Sequence, residues 1–310
     1  MKALIAKYPV AILAIIVLGI QFGIVLVTKS MMKPGLRLHE VPEAHMVFRF
    51  RVFWPLVFAV LITYYLEGKA GLYKLFGAYK VWRVPGKWYA FAISWKFLFC
   101  YLGWAVAVFA FDDPTWWPGA AQPMFDQGPN GERMHIFNLL AAMPFIIGIA
   151  LVEETTWMKY CVTRLQDKYS AFVSCTITGA IWGLWYLPML LLGEGVPDGI
   201  PWYFFLLSMM GLAILLGWVY NMTRSGLILL IMQLVSNIAF FVMPALPLAH
   251  NGDARYVMAF VWAEVAIAAF VVIKYGYKEM GPGPRPTWTD PKIPGYAPVS
   301  SEKSKTVAMA

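Results

Sequence analysis

Residues 8–28 read YPVAILAIIVLGIQFGIVLVT, a run of aliphatic side chains close to the roughly 20 residues a helix needs to cross ~30 Å of hydrocarbon. Lys2 and Lys7 precede it, as they would precede a signal peptide. The run is too long for a signal h-region and no small-residue cleavage site follows Thr28, so it reads as a retained anchor. Runs of the same kind recur at Trp202–Tyr220 and Tyr256–Ile273. Across the 310 residues 60% are hydrophobic and only 14% are charged. Soluble domains keep about a quarter of their residues charged, so water is not the main solvent of this chain. The fold class that follows is all-α: a polytopic integral membrane bundle.

Eight spans are predicted, at 8–28, 47–66, 88–111, 136–160, 170–192, 202–220, 226–248 and 256–275. Charge orients most of them. Lys69, Lys74, Lys80, Arg83 and Lys87 precede the third span and put its start in the cytoplasm. The acidic connection 112–133, with Trp116 and Trp117 at the membrane border, is an outer loop. Arg164 and Lys168 return to the inside, Glu194 and Asp198 to the outside, and Arg224 to the inside again. Lys274 and Lys278 then place the C-terminus in the cytoplasm, and a bacterial inner membrane suits the pattern. The first loop breaks the rule: Lys29, Lys33, Arg37, Arg49 and Arg51 outweigh Glu40 and Glu43 where eight spans place it outside. Either 47–66 is a re-entrant or tilted piece, or the rule is overridden there.

Three regions result. Residues 1–130 form an N-terminal membrane region, with 67–87 as a basic, aromatic interfacial anchor. Residues 131–278 form the transmembrane core, and 279–310 a Pro/Gly/Ser-rich tail that should not fold alone. The net charge of +8 sits between spans and suits anionic headgroups, so membrane lipids rather than nucleic acid are the expected partners. Cys100, Cys161 and Cys175 lie in or beside apolar runs, which is buried thiol usage and not a zinc site or disulfide framework. The C-terminal Thr-Val-Ala-Met-Ala has no prenylatable cysteine, so the protein is not itself a lipidated substrate.

Three spans carry polar chemistry and the rest read as silent. The fourth ends in Glu153-Glu154-Thr155-Thr156-Trp157-Met158-Lys159. Two adjacent carboxylates there are costly, since a central Asp costs ~2.5–3.5 kcal/mol even on the lenient insertion scale. The fifth holds Gly179, Trp182, Gly183 and Tyr186, with Tyr186 one turn after Trp182 and glycines that permit close helix approach. The seventh holds Gln233 and Asn237, an i, i+4 pair of amides on one stripe. Buried amides in membranes most often bond neighbouring helices, and a single carboxylate near an interface is often only a solvated end.

Together these segments resemble the CAAX protease and bacteriocin-processing (Abi) family of intramembrane endopeptidases. That family has a Glu-Glu pair followed by an aromatic and an Arg. A second helix then carries an aromatic-x-x-x-His motif, and a third His-x-x-x-Asn. Glu153, Glu154 and Trp157 match the first motif, and Arg164-Leu165-Gln166 continues it. Ile181–Trp185 with Leu187-Pro188 matches the second. Gly217–Ser225 leads into the third, ending at Asn237. The resemblance covers about residues 140–240 and implies that Glu153 would activate water with help from the first His. The second His and the Asn would then hold the oxyanion.

The departures fall on that chemistry. Met158 stands where the family has Arg, Tyr186 where it has the first His, and Gln233 where it has the second. A phenol donates a hydrogen bond but does not take a proton near neutral pH, while Gln233 still offers an N–H donor beside Asn237. Lys159 is about 100° around an α-helix from Met158 and does not replace the Arg. His39, His45, His135 and His250 all fall in loops or at span borders, so no imidazole is expected in the motif core and no metal or other cofactor is called for. The expected function is a non-catalytic scaffold, adaptor or accessory subunit with a membrane-protein partner. The alternatives are an active glutamate-dependent endopeptidase with a reduced site, and a small-ligand or transport function in the same cleft.

Overall fold

The computed structural model describes residues 1–111, 136–195, 199–242 and 253–290. The expected outer loop 112–133, Asp198, the end of the seventh span at 243–248, His135, His250 and the tail beyond 290 lie outside the described residues. Among those described, helices account for the whole architecture and no strand is present. Helices α1 (Lys2–Lys7) and α2 (Pro9–Met31) open the chain, with Pro9 in the first turn of α2, where a missing N–H is harmless. There follow α3 (Pro42–Phe50), a 3-10 turn (Arg51–Phe53), α4 (Trp54–Gly77) and α5 (Gly86–Phe111). Helix α6 (Ile136–Glu153) runs directly into a π-helix, Glu154–Val162, and then α7 (Thr163–Gln166). The remaining helices are α8 (Ala171–Tyr186), α9 (Trp202–Thr223), α10 (Gly226–Val242) and α11 (Arg255–Tyr275).

Seven helices among the described residues are long and apolar enough to cross a membrane, and the chain is an integral membrane helical bundle. The sequence predicts eight. The difference is the seventh predicted span, whose described part, α10, is a shorter apolar helix. The predicted span 47–66 falls within one of these seven, the longer helical path Pro42–Lys80. Gly68 breaks that path at φ 62°, ψ −149°, a conformation open to glycine and strained for residues with a Cβ. The part of α4 before the break, residues 54–67, is about 21 Å long at 1.5 Å per residue, and α3 with the 3-10 turn extends the path ahead of it.

Helices α8 and α9 pack closely in the core. A methyl carbon on Gly179 would lie 2.6 Å from the Met209 carbonyl oxygen and from the Met210 Cα, so only glycine admits this approach. Helix α5 is tied to α10 by Trp95 Nε1 donating to the Met232 carbonyl (3.1 Å), and to α11 by the Tyr256 hydroxyl donating to the Cys100 carbonyl (2.6 Å). Each bond satisfies a polar atom for which the bilayer offers no partner.

At one end of the bundle, the stretch expected as an interfacial anchor and part of the tail expected not to fold alone are both packed against helices. The stretch 67–87 buries Leu75 and Ala78 in the core while keeping Tyr73 and Trp82 exposed. It is therefore a docked element with an outward aromatic face. Its Glu67 accepts hydrogen bonds from Lys74 (3.1 Å), Arg164 (2.9 Å) and the Trp288 indole (2.6 Å). Trp288 belongs to the expected tail, and residues 276–290, the end of the expected core with the first part of that tail, form a strap across the helix ends. The carbonyls of Tyr277 and Lys278 accept from Phe172 and Ala171 N–H, satisfying donors that the first turn of α8 leaves open. Asp290 pairs with Arg224, Gln166 donates to the Pro286 carbonyl, and Trp288 N–H donates to the Thr163 carbonyl. A proline- and glycine-rich stretch cannot build its own core, but it can borrow the polar ends of several helices.

Candidate active-site cavity

A cavity of about 660 Å³ opens within the bundle, walled by α3, α5, α6, α8, α9, α10 and α11. Glu153, the last residue of α6, enters it. From there the chain changes pitch: in the π-helix each carbonyl bonds five residues ahead, a geometry that recurs at functional sites. All nine π-helical residues are buried, and Thr155 and Thr163 each turn a hydroxyl back to the carbonyl four residues before. Trp157 stacks on Trp182 of α8 with ring centres 5.8 Å apart, so the two aromatic motif positions are one contact.

The Glu153 carboxylate is held from two sides. Its Oε2 accepts from Gln233 Nε2 at 2.7 Å, and its Oε1 accepts from the Tyr186 hydroxyl at 3.3 Å. Gln233 Nε2 also points to Asn237 Oδ1, at 3.4 Å. The Tyr186 ring is fixed edge-on by Trp185 and Phe205. Gln233 Oε1 and Asn237 Nδ2 are buried without a protein partner, and both residues line the cavity. Chemically this is one carboxylate, two committed donors and one uncommitted amide N–H. Neither committed donor accepts a proton near neutral pH, and only the amide is available to hold an oxyanion.

Of the residues singled out in the sequence, Glu153, Trp182, Tyr186, Gln233 and Asn237 share this cavity. Glu154 does not line it. Adjacent helical residues project roughly 100° apart, and the Glu154 carboxylate is buried behind the wall with neither oxygen hydrogen-bonded. Met158 is fully buried in the π-helix. Lys159 turns away to the strap, where its ammonium donates to the Tyr220 hydroxyl (3.1 Å) and faces the Trp288 ring. It does not stand in for the family's Arg, and the reason is this docking.

Two further features were not legible in the motifs. His45, read as a border residue, lines the cavity from α3 together with Arg49 and Arg51. Lys96 of α5 lines it too, and pairs with Glu264 of α11 at 3.8 Å, while Ser208 donates to the other Glu264 oxygen at 2.8 Å. The spans holding Lys96 and Glu264 are therefore not silent. A lysine and a glutamate in the middle of apolar runs were the available signal, because unpaired charges are not tolerated there. Among the described residues, no group of three or more His, Cys, Asp or Glu is placed to hold a metal ion.

Residues 135–239 match the family model described as type II CAAX prenyl endopeptidase Rce1-like. That segment, about a third of the chain, is similar to the CAAX protease family. No curated protein matches the sequence. The family match begins at the start of α6 and ends within α10, so it contains Glu153, Tyr186, Gln233 and Asn237. It leaves out α3, α5 and α11, which complete the cavity walls. The matched segment thus brings the carboxylate and its donors, and flanking helices supply the cationic residues.

Proposed function

We propose that the protein is a non-catalytic CAAX-protease-like membrane protein, acting as a scaffold, adaptor or accessory subunit of a membrane complex. The observation that carries this reading is the closure of Glu153 by Gln233 and Tyr186. A carboxylate that activates water must pass its proton to a neighbour able to take it, and here both neighbours are donors. The polar lining supports binding more readily than turnover. The protein would reside in a bacterial inner membrane with its C-terminal strap on the cytoplasmic side, and with a membrane-protein partner.

Two experiments test this. Purified protein is incubated with a prenylated CAAX peptide beside the Glu153→Gln variant. Equal, background-level cleavage is expected from both, and robust cleavage lost in Glu153→Gln would overturn the proposal. Solubilisation in mild detergent should also retain a stoichiometric membrane-protein partner. One observation favours a second reading, an active endopeptidase with a reduced site: His45 lines the same cavity as Glu153. In that case cleavage would be present and would fall in both His45→Ala and Glu153→Gln.

A further inference from the structure

The charged groups of the cavity fall into two classes. Deep in the bundle they are matched within the protein: Lys96 by Glu264, and Glu153 by two hydrogen-bond donors. At the open end they are not. Arg49 is exposed and Arg51 half-buried, while Glu153 and Gln233 are buried, so the two arginines mark the mouth. The Arg49 guanidinium lies 4.2 Å over the Phe145 ring and makes no hydrogen bond among the described residues. The Arg51 guanidinium stacks 3.7 Å over Phe48, donates once to the Phe48 carbonyl (3.0 Å), and leaves its buried Nε without a partner. Neither arginine has a carboxylate within ion-pair distance among the described residues.

Contact with an aromatic ring positions each guanidinium while leaving all N–H donors of Arg49 and part of those of Arg51 uncommitted within the protein, and such donors receive a carboxylate or phosphate through paired N–H bonds. Behind the mouth the walls are hydrocarbon, with Phe145 and Ile149 from α6, Phe205 and Leu212 from α9, and Phe260 and Val261 from α11. A volume of about 660 Å³ is that of an ordinary small-molecule site, and apolar walls with a few placed polar groups are the usual lining. Hydrocarbon walls alone would take any apolar molecule, whereas unmatched guanidiniums at the entrance select one with an anionic end.

We propose that this cavity binds a single-chain amphiphile, with its carboxylate or phosphate head on Arg49 and Arg51 and its chain in the apolar interior. The site shares its cavity with Glu153, and the binding proposed here does not depend on whether Glu153 is catalytic.

The test uses the full-length protein in phosphatidylcholine nanodiscs with oleate labelled with carbon-13 at its carboxyl group. Binding is followed by the carboxyl NMR signal and by competition. A saturable, shifted signal is expected, displaced by oleoyl lysophosphatidate but not by oleyl alcohol or inorganic phosphate. Arg49→Gln and Arg51→Gln should each weaken binding about tenfold, the loss of one charge-assisted contact. Lys29→Gln, a cation outside the cavity, should bind as the unmodified protein does. Should Arg51→Gln fail to fold, Arg49→Gln decides, since its guanidinium makes no protein hydrogen bond. The proposal is overturned by unsaturable partitioning, by displacement with oleyl alcohol or with phosphate alone, or by unchanged affinity in Arg49→Gln.

Discussion

Removing either member of the Lys96–Glu264 pair should cost more than removing both. The two side chains are 4% and 0% exposed and 3.8 Å apart, so a unit-charge pair there is worth roughly 4 kcal/mol at an effective dielectric constant of 20. Breaking a buried pair by deleting one partner generally costs ~3–5 kcal/mol, because the remaining charge stays desolvated. In Lys96→Met, Glu264 keeps the Ser208 hydroxyl as a donor. In Glu264→Gln, the Lys96 ammonium keeps the faces of Trp95 and Phe260, 5.0 and 4.5 Å from the ring centres. Ring faces offset part of the loss, at ~0.5–2 kcal/mol, so Glu264→Gln should be the milder of the two. The double variant replaces the pair by uncharged groups of similar size and should recover most of the stability. The assay is equilibrium unfolding of all four proteins in one mixed-micelle system, read as a double-mutant cycle. A coupling energy of about 2–4 kcal/mol is expected. Strict additivity, or single variants each costing under about 1 kcal/mol, would show that the pair is not desolvated as described.

Other outcomes follow from the same packing. Trp288→Ala removes a 3%-exposed ring that Glu67 and Arg164 both engage; a loss of ~3–5 kcal/mol should release the strap, seen as new proteolytic cleavage within 276–290. Gly179→Ala places a carbon 2.6 Å from the α9 backbone and should lower stability by ~1–3 kcal/mol through overpacking, measured as a fall in Tm. Tyr186→Phe removes one long hydrogen bond to Glu153 and should cost no more than ~1.5 kcal/mol without creating peptidase activity. Restoring Met158→Arg, Tyr186→His and Gln233→His together is the smallest change expected to yield cleavage of a prenylated peptide, and any single restoration showing it would contradict this.

Much of the architecture was legible in the chain because each part of it depends on local solvent preference. An aliphatic run such as 8–28 belongs in hydrocarbon whatever surrounds it, and most of the predicted spans appear as helices. The i, i+4 spacing of Gln233 and Asn237, and the place of Glu153 at the end of its run, likewise put their side chains on defined faces before any packing is known. The chain also carried the loss of proton-accepting groups at Tyr186 and Gln233, since that is a matter of residue type.

Tertiary structure decided which faces meet. Glu154 looks equivalent to Glu153 in the sequence, yet one projects into the cavity and the other is buried away from it, because adjacent helical positions point in different directions. The π-helix changes the angular relation of Met158 and Lys159, so an α-helical projection misplaces them. His45, Arg49 and Arg51 read as loop charges until α3 packs over the cavity mouth. Lys96 and Glu264, 168 positions apart in the chain, form a pair only because α5 and α11 lie side by side. The strap is the same case: residues 276–290 hold no core of their own, and only the assembled helix ends supply the carboxylate, guanidinium and carbonyl partners that fix it. Local preference follows from each residue's own chemistry, whereas a long-range contact depends on where every intervening helix has packed.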